Sequence, residues 1–570
     1  MPHESAGFTT WIDDFLRSYY ARRPVNATFI GVHDHDHRLP DFSENGAGDT
    51  RAEMEGLLRR SEDLDRHRLG ATDRLDLDLA RGFLRIQLWE DASTHFHRGN
   101  PSLYTGEAVF GVLSLFLTPF APAADRAEAA VRRMEDVERL LDEGRRNVRA
   151  APVEWTERAI RECDGALAFF REGIALLAAE EGIVVRGFEA AAERAARAFG
   201  AFRDHLDGEL RRHPSDRYGC GDEALALHLG QGHFLEDDAD ELARYAEAEL
   251  ADARAHLAAH ARDFGASSPE QALASLDALH PPAERYYARY PEVWDEARAF
   301  AEAHRLVTWP DAPIRYVPRP AWARAAAPHL YFLFYRSPAA FGGPPVHDYL
   351  VAPLPEAASA AERARFLRAN NDSAIKLNHV VHHGGLGHHV QNAYARRAAS
   401  RIGRIAAVDC ASRIALPSGG TMAEGWACYA TDLMSEVGFL TPLERYAEWH
   451  TRVRMCARAV VDVRLHQGRL SLATAADYYR TQAGMSPDAA LAEAVKNSMF
   501  PGAAMMYVKG TDAIHALRSE MSRRQGARFD LRAFHDAFLA HGSIPVAAVA
   551  EAMTRNANDP AADDGSRDAR

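Results

Sequence analysis

Three glycines within four residues, Gly384, Gly385 and Gly387, separate one pair of histidines from another in the stretch His379–Gln391, HVVHHGGLGHHVQ. A regular helix does not run comfortably through such a stretch, because glycine in a helix interior costs about 1 kcal/mol relative to alanine. Regular geometry would also scatter the imidazoles. His382 and His388 would point about 240° apart, and His382 and His389 would share a stripe about 10 Å apart along the axis. Only His379 and His383 have undistorted helical spacing. A break or bulge at the glycines would swing His388 back towards His382. Neutral imidazole is the commonest protein metal ligand, and a carboxylate is its frequent companion in catalytic zinc sites. Downstream, Met422-Ala-Glu-Gly-Trp-Ala offers Glu424. The histidine stretch and Glu424 are therefore read as a metal centre. The chain lacks HExxH, the pattern by which helical zinc hydrolases seat two imidazoles and a base on one face.

The rest of the chain reads as a helical scaffold for that centre. Residues 8–24 have helical apolar spacing and stop at Pro24. From Thr50 to about Leu257, successive segments carry apolar residues at i, i+3, i+4 and i+7, punctuated at RGNPSLYTG and LTPFAPAAD. Between Trp309 and Pro355 the chain turns rich in Pro, Tyr and Phe, which predicts a small sheet or extended segment beside a cleft. Helical patterning resumes at Ala357 and continues to about Ala552. The expected fold class is mainly α, with at most a small β element near 309–355. Residues 1–300 would form an N-terminal helical region covering a deep cleft, and residues 301–555 a metal-binding catalytic region. Residues 556–570, polar and rich in Gly, Pro and Asp, would be a disordered tail. In GVHDHDHRLPD, His33, His35 and His37 alternate with acids. Alternate residues share a face only in a strand, and this segment is short and followed by Pro40, so it reads as a surface loop.

Composition narrows the partners. Hydrophobic residues make up 47% and charged residues 26%, as in globular domains. A formal charge of −14 argues against nucleic acid or an anionic membrane as partner. Five cysteines without CxxC spacing suggest reduced thiols. With no signal-peptide pattern at the N-terminus and no apolar run of about 18 residues, the expected location is cytoplasmic. The expected partner is a small molecule or short peptide, and the oligomeric state stays open. Arginine carries nearly all the positive charge. The three lysines, Lys376, Lys496 and Lys509, fall between the edge of the histidine stretch and the segment FPGAAMMYVKG.

At these motifs the chain resembles the bacterial domain-of-unknown-function 885 family, whose members are mostly helical and zincin-like. The family signature is approximately HEAxPGHHLQ, followed by EGWA on a later helix. The corresponding residues here run from His382 and His383 to Gln391, then from Glu424 to Ala427. GVHDHDHRL, NPSLYTG, VVDVRLH (460–466) and FPGAAMMYVKG (500–510) look like further landmarks, so the resemblance spans nearly the whole chain. It implies His382, His388 and Glu424 as metal ligands, and Tyr507 and Lys509 as groups that bind a substrate oxyanion or carboxylate. It also draws attention to Asp462, Arg464 and His466 in DVRLH, where Arg464 replaces a glycine and would narrow or charge the pocket. The main departure is His383, which stands where the family carries the glutamate that polarises metal-bound water. Leu386 likewise replaces a proline.

His383 is thus a base, an extra ligand or a buried spacer, while His379 and His389 either support the ligands or pack. Trp426 and Tyr429 read as core, and Cys428 as a buried apolar residue. The expected cofactor is one divalent metal, zinc first, with iron, copper or nickel as alternatives. Three functions stay open. One is a metal-dependent hydrolase of a small amide or peptide-like substrate, with His383 in place of the Glu base. The second is non-hydrolytic metal chemistry (lyase, isomerase or oxidase) on a small metabolite, which extra imidazoles would favour. The third is a catalytically inactive relative that binds a ligand.

Overall fold

The computed structural model describes residues 2–324, 327, 338–342, 346–355, 358–406 and 417–558. Helices dominate it, as the periodicity predicts. The first, Pro2–Arg22, stops just before Pro24, and Pro24 opens a second, Pro24–Ile30. The amphipathic segments that follow include Glu44–Glu62, Ala71–Ala92, Ala123–Asn147, Phe188–Gly208 and Ala239–His260. Ala123–Asn147 shows why they form. It buries Ala127, Ala130, Met134, Val137, Leu140 and Leu141 along one stripe, while Arg139 pairs with Asp136 and Glu143 one turn to either side. NPSLYTG, expected to punctuate helices, instead begins one. Asn100 accepts a hydrogen bond from the Ser102 amide, and Pro101 occupies the first turn of Pro101–Leu113.

The Pro-, Tyr- and Phe-rich segment supplies the small sheet. Strands β1 (Ile314–Pro318) and β2 (His347–Val351) pair in parallel, with Tyr316 opposite Tyr349. Residues 328–337 of that segment lie outside the described residues. The last helix, Val546–Asn558, takes in the first three positions of the expected tail, and residues 559–570 lie outside the described residues. The HDHDH segment forms a turn, in which Asp36 accepts from Thr28 Oγ1 and approaches His33 Nδ1 at 3.0 Å. The four described cysteines are free thiols, and Cys410 lies outside the described residues.

Hydrophobic clusters join distant stretches of the chain. The largest runs from Phe8 through Leu84 and Tyr290 to Met553. A second unites Trp155 and Leu250 with Tyr479, and a third unites Leu225 with Val460 and Met505. Val380, Val381, Leu386 and Val390, which flank the histidines, all belong to the largest cluster. Burying each stabilises by about 1.5–3 kcal/mol, so the core itself grips the histidine stretch on both sides.

Two motif helices cross at their glycines. The EGWA helix, Gly420–Glu436, meets the YVKG helix, Met505–Gln525. A Cβ on Gly425 would lie 2.5 Å from the Gly510 carbonyl carbon, and one on Gly510 2.4 Å from the Thr421 oxygen. Backbone presses on backbone there, so nothing flexible can yield. Gly106, inside the Pro101–Leu113 helix, has nothing within 4 Å of its Cβ position. Thermal melts should therefore give opposite signs for one chemical change. Gly425→Ala should destabilise by about 1–3 kcal/mol, while Gly106→Ala should stabilise by about 0.5–1 kcal/mol. A Gly425→Ala protein melting at or above the parent temperature would contradict this crossing.

Candidate metal centre

The site begins with an unusual helix. Residues Ala374–Gly384 form an 11-residue π-helical segment, with amides bonded five residues back. This winding removes the α-helical relation between His379 and His383. It also carries the His383 ring to the carbonyl of Asn378, five residues earlier, with Nδ1 at 2.6 Å. That bond makes Nδ1 the protonated nitrogen and directs the lone pair to Nε2.

Beyond Gly384 the chain doubles back. The Gly387 amide donates to the Val381 carbonyl at 2.9 Å, and the Gly385 amide donates to Val380. A Cβ on Gly387 would sit 1.9 Å from the His382 carbonyl oxygen, one on Gly384 2.0 Å from Tyr316 Oη, and one on Gly385 2.8 Å from the Val380 oxygen. The glycines are therefore required by close approach. Two indoles satisfy the turn: Trp294 Nε1 donates to the Gly384 carbonyl at 2.9 Å, and Trp426 Nε1 donates to Leu386 at 2.8 Å. The helix His388–Ala395 then starts at the returning histidine.

The result is convergence. The His382 and His388 rings come to 4.9 Å between centroids, and His383 joins them, with one ligand nitrogen of each within 4.8 Å of the others. Glu424, on the EGWA helix, presents Oε2 at 3.3 Å from His382 Nε2 and 3.5 Å from His388 Nε2. Donors about 2.0–2.1 Å from a tetrahedral ion stand roughly 3.4 Å apart, so these separations fit one metal ion. The HDHDH turn forms no such cluster: among the described residues, only His382, His383 and His388 group as potential ligands of one ion. Burial opposes ionisation of Glu424, but the imidazoles of His388 and His382 outweigh it and hold the carboxyl well below its ordinary range. Burial chiefly, then His382 and His388, depresses His383 well below the ordinary imidazole range and favours the neutral form. At 14%, the His382 side chain is more exposed than His388 at 2% or Glu424 at 8%, so solvent reaches the cluster from its side.

The other candidate residues divide. Tyr507 is half-buried on the YVKG helix and interacts electrostatically with Glu424. Lys509, two residues on and so about 200° around the helix, pairs instead with Asp237 at 2.7 Å and lies over Tyr245. His379 turns to the sheet, its Nδ1 2.5 Å from Tyr349 Oη and its carbonyl accepting from Tyr316, and burial lowers its pKa to about 4. His389 meets the Ala312 carbonyl at 2.6 Å and stacks near His347. Asp462 accepts from the Gly502 and Ala504 amides, which fixes the FPGA turn ahead of the YVKG helix, and burial raises its pKa to about 7. His466 ties the Cys220 amide to the Asn497 carbonyl. Arg464 does not charge a pocket: it reaches across to Asp240 and Glu247 on the Ala239–His260 helix.

Sequence reasoning misses the supports. No motif singles out Trp294, and Trp426, read as core, is fully buried but also holds the glycine turn. Lys376 stands out in the sequence only by its rarity. Its ammonium bonds the Glu444 carboxylate at 2.9 Å and the Phe439 carbonyl at 2.8 Å, fastening the π-helical segment to the start of the later helix Pro442–His466. The signal for that contact is the capping box Thr441–Glu444.

The whole fold has solved counterparts. A protein of unknown function from Shewanella oneidensis, described as a candidate lipoprotein, superposes with a TM-score of 0.75 at 20% identity, over 96% of this chain and 99% of its own. A candidate lipoprotein from Colwellia psychrerythraea gives 0.76 at 17% identity, over 97% and 99%. No curated protein matches the chain. No helix among the described residues is long and apolar enough to cross a membrane. With residues 24–553 matching its sequence profile, the chain belongs to the bacterial protein family of unknown function DUF885.

Proposed function

We propose that the chain is a metal-dependent hydrolase of a small amide- or peptide-like substrate on a zincin-like scaffold. The observation that carries the reading is the convergence of His382 and His388 on one Glu424 oxygen at separations suited to a single ion. His382, His388 and Glu424 would hold one divalent metal, zinc in the first instance. Such an ion, when bound, supplies Lewis acidity that polarises a carbonyl and acidifies water. The chain's own residues do the rest. His383, in place of the glutamate of similar sites, takes a proton from the attacking water and returns it to the leaving amine. Tyr507 donates a hydrogen bond to the developing oxyanion. Lys509 drops out of the scheme because Asp237 engages it.

A second reading is favoured by the His383–Asn378 hydrogen bond, an arrangement typical of metal-ligating imidazoles. With His383 on the ion, three imidazoles and a carboxylate would close a tetrahedral zinc site and suit iron, copper or nickel. The reaction would then be a non-hydrolytic one on a small metabolite. The neighbours described as candidate lipoproteins make an envelope location an alternative to the cytoplasm, and fractionation of the producing bacterium decides between them.

Elemental analysis of the purified protein separates the readings. About one zinc per chain supports hydrolysis, a redox metal supports the second reading, and no metal sinks both in favour of an inactive relative. His388→Ala and Glu424→Ala should empty the site, whereas His35→Ala should leave metal content unchanged. The reaction type turns on His383. If it is the base, His383→Glu should keep zinc and raise general amide hydrolysis by about 10-fold or more. If it is a ligand, the same change should abolish the native reaction and alter metal preference. Parent-like metal content and turnover, within about two-fold, in both His383→Glu and His383→Ala would remove His383 from either role.

A further inference from the structure

The Pro442–His466 helix carries Arg454 and Arg458 one turn apart, on one face. Like charges at that spacing repel, and a guanidinium drawn out of water needs an anion or hydrogen-bond acceptors. Arg458 has its anion: Nε and Nη2 fork the two Glu493 oxygens at 2.8 and 2.9 Å. Arg454 has none. It is half-buried, yet among the described residues it makes no hydrogen bond and no ion pair. Neighbouring arginines of the same helix are tied down, Arg452 by Asp512 and Glu249 and Arg464 by Asp240 and Glu247.

Tyr507 connects this pair to the metal centre. The Arg458 guanidinium lies 5.5 Å from its ring centroid, and Arg454 and Glu424 both act on it electrostatically. Its hydroxyl also makes no hydrogen bond among the described residues. Two donors in search of an acceptor therefore stand beside the candidate reaction centre. Arg454 lies within the electrostatic reach of Glu493, and Tyr507 within that of Glu424, so the surroundings already carry negative charge. A dianion such as phosphate would bring excess negative charge against Glu424 and Glu493, whereas a carboxylate balances Arg454 one for one and matches its planar fork.

We infer that Arg454 anchors a carboxylate of the substrate, which makes the substrate an amide or peptide bearing a free acid group. This rests on reading the His382–Glu424 cluster as the reaction centre. The guanidinium donates two N–H bonds to the carboxylate, and the scissile carbonyl extends past Tyr507 towards the cluster.

Calorimetric titration of the full-length protein, metal-loaded and metal-free, tests this with pairs of N-acetyl dipeptides that differ only as free acid or C-terminal amide. The parent should bind a free acid at least about 10-fold more tightly than its amide, and inorganic phosphate should not compete. Arg454→Gln should erase that discrimination without lowering the melting temperature, because it removes an unpaired charge. Arg464→Gln should preserve it. Equal binding of acid and amide by the parent, binding of neither, or full discrimination in Arg454→Gln would each overturn the assignment, as would phosphate displacing the free acid. Because binding is also read without metal, the two ideas fail separately. Discrimination without hydrolysis sinks the proposed reaction alone, and hydrolysis of acid and amide with equal KM sinks the anchor alone.

Discussion

The site depends on one close contact, the Gly387 backbone against the carbonyl of His382. Any side chain at Gly387 would place its Cβ 1.9 Å from that oxygen, so the doubling back of the chain exists only with glycine there. Without it His388 could not return to within 4.9 Å of His382, and Glu424 would face a single imidazole. The contact holds because its surroundings over-determine it. The π-helical segment enters from one side, two tryptophan indoles satisfy the exposed carbonyls, and Leu386 is locked in the main core. Local irregularity of this kind is sustained by rigid packing around it.

Much of this was legible in the sequence, because glycines and histidines carry strong local constraints. Three glycines in four residues weakened a regular helix enough to let His388 approach His382, and the family resemblance singled out that pair as ligands. The helical scaffold was legible for the same kind of reason, since period-3.6 patterning survives any tertiary arrangement. What the sequence hid was direction. Lys509 sits two residues from Tyr507 in one motif, but helix geometry sends the two side chains to different neighbours. Arg464 looked like a pocket residue only because its partners, Asp240 and Glu247, lie more than 200 positions away. The π-helical winding was also hidden. It converted the one pair at good α-helical spacing, His379 and His383, into residues with different partners.

The glycines of the two later motifs have a related logic. Gly425 and Gly510 look like unconnected letters in EGWA and YVKG, yet each lets the backbone of the other helix approach. Their contact sets how close Glu424 and Tyr507 stand, with Thr511 bridging the helices through bonds to the Gly425 and Tyr507 carbonyls. Motif glycines here determine distances between functional groups they do not themselves contain.

One oxygen of Glu444 has a wider reach than a helix cap. Glu444 Oε2 accepts from the Thr441 amide at the start of the Pro442–His466 helix and from Lys376 at the start of the histidine segment. The helix bearing Arg454 and the segment bearing His382 thus hang from a common peg. Were the peg to shift, both would travel together, and the span between guanidinium and imidazole would change little. Such a frame acts as a fixed gauge. It would sort molecules by the length separating their two recognised groups, with little dependence on loop closure.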